Sequence, residues 1–343
     1  MRILVIGGTG FISRSLVKRL LDAGHRVTIF TRGRLQGQRH QNLDSIVGDR
    51  TIPSSLEVAG ARGTYDAVYD MIAYEPDECA AAVRIFRGRV GRFIHCSTIS
   101  VYMVSDAVHC PITEDQDHAP LMKFWERNPF GMEYGIKKRQ CEDVLWHAHD
   151  ERLFPVSMMR PTYVSGPHDP ARRDWFWIER IIDGGPLLVP GSGGFRFQQV
   201  YIEDVSRMFH ALLEHPVSIG RAYNIAGEET FSLNEYLQRL GTLLGRSPEL
   251  VHLDQEEFDR LPISVCDTGD VFAFNARRNA VFSLDRITRD LHYRSTPFDD
   301  WMALTVTWWT TRGGVHSNGY AHRSDELAAI RRLRMSASHS EGP

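Results

Sequence analysis

Ile3-Leu4-Val5-Ile6-Gly7-Gly8-Thr9-Gly10-Phe11-Ile12-Ser13 is the stretch of this sequence whose reading decides the fold. Its first four residues form a continuous apolar run, the pattern of a parallel strand buried on both faces. Residues 11–23 then carry Phe11, Ile12, Leu16, Val17, Leu20 and Leu21 at helical spacing, and Gly24 stops the helix. A glycine turn between strand and helix lets backbone amides approach a pyrophosphate at the helix N-terminus, where the dipole favours anions. The spacing is Gly7-x-x-Gly10-x-x-Ser13, with a small serine where a third glycine often allows close helix–strand packing. This placement predicts a dinucleotide site built on Gly7, Thr9, Gly10, Phe11 and Ile12.

Outward from that turn the chain alternates. Strands are expected at residues 27–30, 45–47, 67–72, 93–97 and 156–159, with helices at 77–87 and 132–149. Residues 200–213 read as a further strand and helix of the same sheet. Strands separated by helices imply right-handed crossovers. The expected fold class is α/β: a Rossmann-type doubly wound parallel sheet with a smaller, mainly helical C-terminal substrate lobe. Residues 1–164 with 196–226 are assigned to the nucleotide domain, and 165–195 with 227–312 to the lobe. The ligand is expected between them. The lobe holds the aromatic cluster Trp175, Phe176 and Trp177, and Ser232 is positioned to cap a helix over 233–244. Residues 313–343 read as an appended tail with a short helix capped by Ser324. Arg331, Arg332 and Arg334 fall in its last turn, and residues 336–343 are expected to be disordered.

The chain has 343 residues, 40 Lys plus Arg against 43 Asp plus Glu, and a net charge of −3. That balance gives no global reason to expect nucleic acid or a membrane surface as partner. At 42% hydrophobic the chain can bury a sizeable core, yet no apolar run approaches the ~20 residues of a membrane helix. Cys79, Cys96, Cys110, Cys141 and Cys266 form no CxxC pair and show no zinc spacing. Reduced thiols are expected, as is the absence of a metal site. The opening apolar run is too short for a signal peptide, so a cytoplasmic location is expected.

The end of the second strand bears on cofactor choice. An Asp or Glu there would bind the adenosine ribose of NAD. The chain instead reads Phe30-Thr31-Arg32-Gly33-Arg34. Arginine suits the 2′-phosphate of NADP through charge-assisted, bidentate contacts. Thr31, Arg32 and Arg34 therefore favour NADP(H) over NAD(H). The other reading is that these arginines are solvated loop residues and NAD binds without a carboxylate. Asp49, in Gly48-Asp49-Arg50, is a candidate for the adenine amino group.

Tyr134-Gly135-Ile136-Lys137-Lys138 places Tyr134 and Lys138 on one helix face. An ammonium beside a phenol is expected to lower its pKa, so that the tyrosine can exchange a proton with a substrate oxygen. Ser97-Thr98-Ile99-Ser100-Val101-Tyr102 supplies hydroxyls at the end of the fifth strand. His95 reads as structural. His109, His168 and Cys110 lie in candidate active-site loops as possible second acids or bases.

With these motifs the chain resembles the extended short-chain dehydrogenase/reductases, in particular the NAD-dependent epimerase/dehydratase family. The resemblance spans Met1 to about Trp309. It rests on the glycine loop, Asp70–Ala73, Ser97–Tyr102, Tyr134/Lys138, Met159-Arg160-Pro161 with Gly166-Pro167, and residues 200–205. It implies Thr98 as the catalytic hydroxyl, Tyr134 as general acid/base, and Lys138 on the nicotinamide ribose. It also implies Met71, Ile72, Ala73 and Pro161 as cofactor-lining, with Tyr74, Thr98, Ser100, Tyr163 and Arg196 toward the substrate. Ile99 and Ser100 stand where sugar-nucleotide dehydratases carry an Asp-Glu pair, which argues against water elimination. Tyr163 replaces a common Asn. Phe197 replaces a common Arg, with Arg196 adjacent. Thirty-six positions separate Thr98 from Tyr134, a long interval holding Phe124, Trp125, Pro129 and Phe130. Those residues fit a partial lid or an aromatic surface patch.

The resulting expectation is an NAD(P)-dependent epimerase or oxidoreductase acting by hydride transfer on a sugar-like, possibly nucleotide-linked substrate. Alternatives are an NADP(H)-dependent reductase of a non-nucleotide ketone, and a non-catalytic RNA-binding relative. The Thr31–Arg34 loop is reminiscent of the latter, whereas the intact Tyr134/Lys138/Thr98 set and the slightly acidic chain oppose it. A homodimer through the helices at 77–87 and 132–149 is also expected from the resemblance.

Overall fold

The computed structural model describes residues 1–34, 40–124, 131–260, 273–274, 277–311 and 318–340. Trp125, Pro129, Phe130, Cys266 and residues 313–317 and 341–343, on which expectations were placed, lie outside them. The chain divides into two compact units. The first comprises residues 1–164, 200–226 and 282–295; the second comprises 165–199, 227–281 and 296–343.

The first unit is built on β1 (Arg2–Ile6), α1 (Phe11–Asp22), β2 (Arg26–Thr31), β3 (Leu43–Val47), α2 (Pro53–Ala61) and β4 (Ala67–Asp70). It continues with α3 (Pro76–Phe86), β5 (Phe93–Cys96), the short α4 (Ser100–Met103), α5 (Met132–Asp150) and β6 (Val156–Pro161). A seventh strand, Arg221–Ile225, pairs with β6. The spatial order is seventh strand, β6, β5, β4, β1, β2, β3, and the pairings are parallel.

Alternation along each strand sorts side chains onto the two helical layers. Ile3 and Val5 join one core cluster with Leu16, Leu20, Val205 and Phe209 of α1 and the helix Ile202–Glu214. Leu4, Ile6, Val68, Phe93, Val156 and Met158 join the other, with Leu56, Ala82, Cys141 and Leu145 of α2, α3 and α5. Each of the Val, Leu, Ile, Phe and Met side chains among these contributes about 1.5–3 kcal/mol by burial. The doubly wound parallel sheet is the expected one. Helix α2 was not foreseen from the sequence, because Pro53–Ala61 has almost no apolar periodicity.

Two expectations are corrected here. The strand Gln199–Tyr201 lies outside the main sheet; the chain first runs through the helix Ile202–Glu214 and returns to the sheet only at Arg221. Residues 282–295 belong with the first unit rather than the lobe. Ile287, Leu291 and Tyr293 are buried in its core. Asp290 is also tied to Arg221 at 2.5 Å and to Tyr223 at 3.1 Å.

The second unit is mainly helical, with short two-stranded ladders at Leu187–Pro190 with Leu250–Leu253 and Arg196–Phe197 with Phe231–Ser232. The helix Arg173–Asp183 carries Trp175, Phe176 and Trp177, all buried. Ser232 caps the helix Leu233–Leu243 as expected: its Oγ accepts the Glu235 amide, and Glu235 accepts the Ser232 amide. The C-terminal segment is not an appended tail. Its helix runs from Arg323 to Ser340, through residues expected to be disordered. Glu326 is fully buried and accepts Nε of Arg180 at 3.0 Å and Nη2 at 2.5 Å. Arg323 pairs in turn with Asp183. That ion network binds the helix into the unit.

Among the described residues, no helix is long and apolar enough to cross a membrane. No group of three metal-ligating side chains is found among them either. Cys79, Cys96, Cys110 and Cys141 form no disulfide with a described residue.

Candidate active site

The carboxyl edge of the sheet gathers the first unit's candidate residues. The loop after β1 needs its glycines. Gly8 has φ +98°, and a Cβ there would lie 2.5 Å from Ile29 of β2. The Gly7 amide donates to the Phe30 carbonyl at 2.9 Å, holding the turn over the end of β2. Ser13 replaces the third glycine without penalty: it is buried, and its Oγ accepts the Gly10 amide at 3.1 Å. Gly10 is exposed and Thr9, Phe11 and Ile12 are half-buried, so the start of α1 remains open to an anion. Across the loop, Met71 and Ala73 are buried beyond β4, and Ile72 packs beside Gly7. Pro161, at the end of β6, is buried and accepts the Ile99 amide at 3.1 Å.

Beyond β2, Arg32 and Arg34 are exposed, with no hydrogen bond or ion pair to any described residue. The Thr31 hydroxyl accepts the Gly33 amide at 3.2 Å, which fixes the turn between the two arginines. Asp49 is the nearby carboxylate. Hydrogen bonds from the Thr51 amide and hydroxyl, at 2.9 and 2.8 Å, hold it below the usual carboxylate range, and Arg32 and Arg34 act in the same direction. One Asp49 oxygen is thus committed to its own turn.

Thr98 and Tyr134 meet because α4 and α5 approach closely. The small residue at the contact is Gly135, where a Cβ would lie 2.5 Å from the Ser100 carbonyl. The Thr98 hydroxyl accepts the Ser100 amide and bonds the Ser100 hydroxyl, both at 3.2 Å. The Tyr134 and Tyr74 rings stand 6.3 Å apart at their centroids. Both residues keep an exposed edge, at 39% for Tyr134 and 50% for Tyr74.

The expected lowering of the Tyr134 phenol by Lys138 is not found. Burial of the phenol and the neighbouring Cys96 and Cys141 push it up to about 12, with hydrogen bonding to Thr98 acting the other way. The reason is the ammonium's position. Lys138 Nζ donates to the carbonyls of Ala73 at 2.8 Å and Cys96 at 2.6 Å, and lies 3.2 Å from His95 Nε2. It also sits 5.7 Å from the Tyr74 ring centroid, as a cation–π neighbour.

Sequence reasoning named Asp70, His95, Ser97 and Arg160 but missed the partners that make them a buried polar row beneath this edge. On the α3/α5 face, β4 ends in Asp70, β5 carries His95 and then Ser97, and β6 carries Arg160; all four are buried. Each has a partner from another element. Arg50 meets Asp70 at 2.5 Å, and Lys138 meets His95. Glu142 accepts both the Ser97 hydroxyl and the Arg160 guanidinium. Arg160 also donates to Tyr102, whose hydroxyl bonds Asn224 at 2.7 Å. The missed signal was spacing: Tyr134, Lys138 and Glu142 follow one another at i, i+4.

The remaining candidates fall elsewhere. Tyr163 is half-buried after β6. Arg196 belongs to the second unit, where it bonds the Thr230 hydroxyl at 3.1 Å, the Thr230 carbonyl at 2.9 Å, and Glu235. His109 and Cys110 are exposed, and the His109 backbone is tied to Gln116. His168 lies in the second unit with its ring 4.6 Å from that of Trp308. Phe124 is exposed.

Comparison with known proteins places this geometry in context. The family model described as NAD dependent epimerase/dehydratase family matches residues 3–226. The chain is 28% identical over 279 residues to the chloroplast stem-loop binding protein of 41 kDa b from Arabidopsis thaliana, covering 75% of this chain and 67% of that one. It is 26% identical over 266 residues to 2-alkyl-3-oxoalkanoate reductase from Stenotrophomonas maltophilia, covering 71% and 76%. Among solved structures, UDP-glucose 4-epimerase from Thermotoga maritima superposes with a TM-score of 0.71 at 20% identity, covering 91% of this chain and 99% of that one.

Proposed function

The chain belongs to the NAD-dependent epimerase/dehydratase family, and from that premise we propose that it is an NAD(P)-dependent enzyme moving hydride at a secondary alcohol or ketone of a sugar-like substrate, with NADP(H) as the favoured cofactor. The residues present fit a dinucleotide. The Gly7–Gly10 turn leaves the start of α1 open, and Arg32 and Arg34, which make no hydrogen bond or ion pair with a described residue and act on Asp49 only through their charge, stand where a 2′-phosphate would be read. Gly7, Thr9, Gly10, Phe11 and Ile12 would hold the pyrophosphate, and Met71, Ile72, Ala73 and Pro161 would line the rest. A bound nicotinamide supplies or accepts the hydride.

The protein's own part is the proton. One observation carries the reading: Thr98 and Tyr134 are brought together by the Gly135 contact, with the Lys138 ammonium fixed one helical turn away. Tyr134 is protonated at neutral pH. It is therefore equipped to donate from its hydroxyl to a carbonyl oxygen that Thr98 orients, while hydride arrives at the carbon; the product is the alcohol. This direction suits a reductase whose cofactor exchanges. An epimerase would use the same groups in both directions with its cofactor retained. Replacing Tyr134 with Phe should lower turnover by about 10²–10⁴-fold, measured on a panel of ketones and sugar nucleotides, with cofactor binding unchanged. Full activity in that variant would contradict the reading.

The relative from Arabidopsis gives a second reading some support, as a stem-loop RNA-binding protein. The net charge of −3 opposes it. A gel shift with structured RNA that weakens steeply with salt would favour it.

A further inference from the structure

His95 was read from the sequence as a structural residue of β5. Its surroundings say more. The ring is fully buried on the α5 face, between Phe93 and Ser97 on the same side of the strand. Its neighbours in register are Asp70 on β4 and Met158 on β6. Charged groups reach it from two elements, Lys138 on α5 and Arg50 after β3.

Nε2 lies 3.2 Å from Lys138 Nζ, while Nδ1 is buried with no hydrogen-bond partner among the described residues. A side chain serving only to fill this space would be apolar and leave no nitrogen unsatisfied. Among the described residues, the one polar contact of the His95 ring is with the ammonium. That ammonium has three donors and no acceptor. Two donors go to the carbonyls of Ala73 and Cys96; the third meets His95.

We infer that His95 is a positioning residue: held as the neutral Nδ1–H tautomer, it accepts from Lys138 through Nε2 and fixes the ammonium at the carboxyl edge of the sheet. The tautomer follows from the partner, since a group that only donates requires an acceptor opposite it. Neutrality follows from burial, reinforced by the charges of Lys138 and Arg50, which hold the ring's pKa well below its ordinary value. Two donors meet carbonyls, and the imidazole takes the third. With its three donors taken by the protein, the ammonium acts toward a nicotinamide cofactor through its charge, a role that rests on the function proposed above. The His95–Lys138 contact does not rest on it.

The test is ¹⁵N spectroscopy of histidine-labelled full-length protein, with the His95 signals identified by their loss in His95→Gln. The expected result is a neutral Nδ1–H ring that does not titrate between about pH 5 and 8. Replacing Lys138 with Met should release that tautomer preference. An Nε2–H tautomer, or a ring that titrates in this range, would overturn the inference. NADPH binding, followed by nicotinamide fluorescence, provides the second readout. His95→Leu should weaken it about tenfold, and His95→Gln, which keeps an acceptor, should restore it to within about threefold. Wild-type binding by a folded His95→Leu protein would also overturn the positioning role. Full turnover by Tyr134→Phe with the tautomer intact would discard the proposed function and leave the His95–Lys138 pairing standing.

Discussion

Tyr134 and Lys138 share a helix face, yet their interaction is not the one their spacing suggests. The ammonium turns into the sheet edge, and the phenol, raised to about 12 chiefly by burial, stays protonated. A raised pKa means that ionisation begins later as pH rises. At pH 10, the ordinary tyrosine midpoint, Tyr134 should remain protonated. Wild type and Tyr134→Phe should therefore show equal tyrosinate absorbance there, and differ only as the pH approaches 12. A full tyrosinate's difference at pH 10 would show that Lys138 does lower the phenol. Arg32 and Arg34 make a second residue-scale case. Replacing both with Ala should weaken NADPH binding about tenfold or more and leave NADH binding nearly unchanged. Equal losses for both cofactors would remove the 2′-phosphate assignment.

Among the elements, the alternation of β1–β6 with α1, α3 and α5 was legible because apolar periodicity carries it directly. Polar partners were less legible. Ser97, Arg160 and Glu142 are far apart in sequence, and nothing local shows that β5, β6 and α5 converge on one buried ion network. Helix α2 lacked a periodic signal, and the seventh strand was hidden because Arg221–Ile225 reads as a short mixed segment. Gly135 is legible only afterwards, as the close approach between α4 and α5. Gly135→Ala would place a methyl group 2.5 Å from the Ser100 carbonyl. Helix α5 must then move, at a cost of about 1–3 kcal/mol. Thr98 should separate from Tyr134, lowering turnover more than cofactor affinity. A variant with wild-type melting temperature and turnover would show that the contact does not position the pair.

For the whole molecule, two units carry different liabilities. The first is closed by apolar layers on both faces of its sheet. The second depends on buried charge. Glu326→Ala takes the nearest carboxylate from buried Arg180, which keeps Glu179 at 3.4 Å, a loss of about 3 kcal/mol. It should release the C-terminal helix to proteolysis ahead of global unfolding. Asp169 adds a pH dependence. It is buried with one oxygen unsatisfied, and burial raises its pKa to about 6. The folded state thus holds this proton more tightly than the unfolded one. Its contribution is fully present below the ordinary carboxyl value near 3.8 and is lost as pH rises through about 6. Stability should fall by about 1–1.5 kcal/mol between pH 5 and pH 7, a dependence that Asp169→Asn abolishes in urea titrations at those two values.

The central claim is that the carboxyl edge of this sheet binds a nicotinamide dinucleotide and reads its 2′-phosphate. Calorimetric titration of the purified protein with NADPH and NADH tests it most directly. Saturable binding of both is expected, with NADPH tighter by about tenfold or more, a preference that disappears in the Arg32→Ala/Arg34→Ala protein. Binding of neither dinucleotide would contradict it.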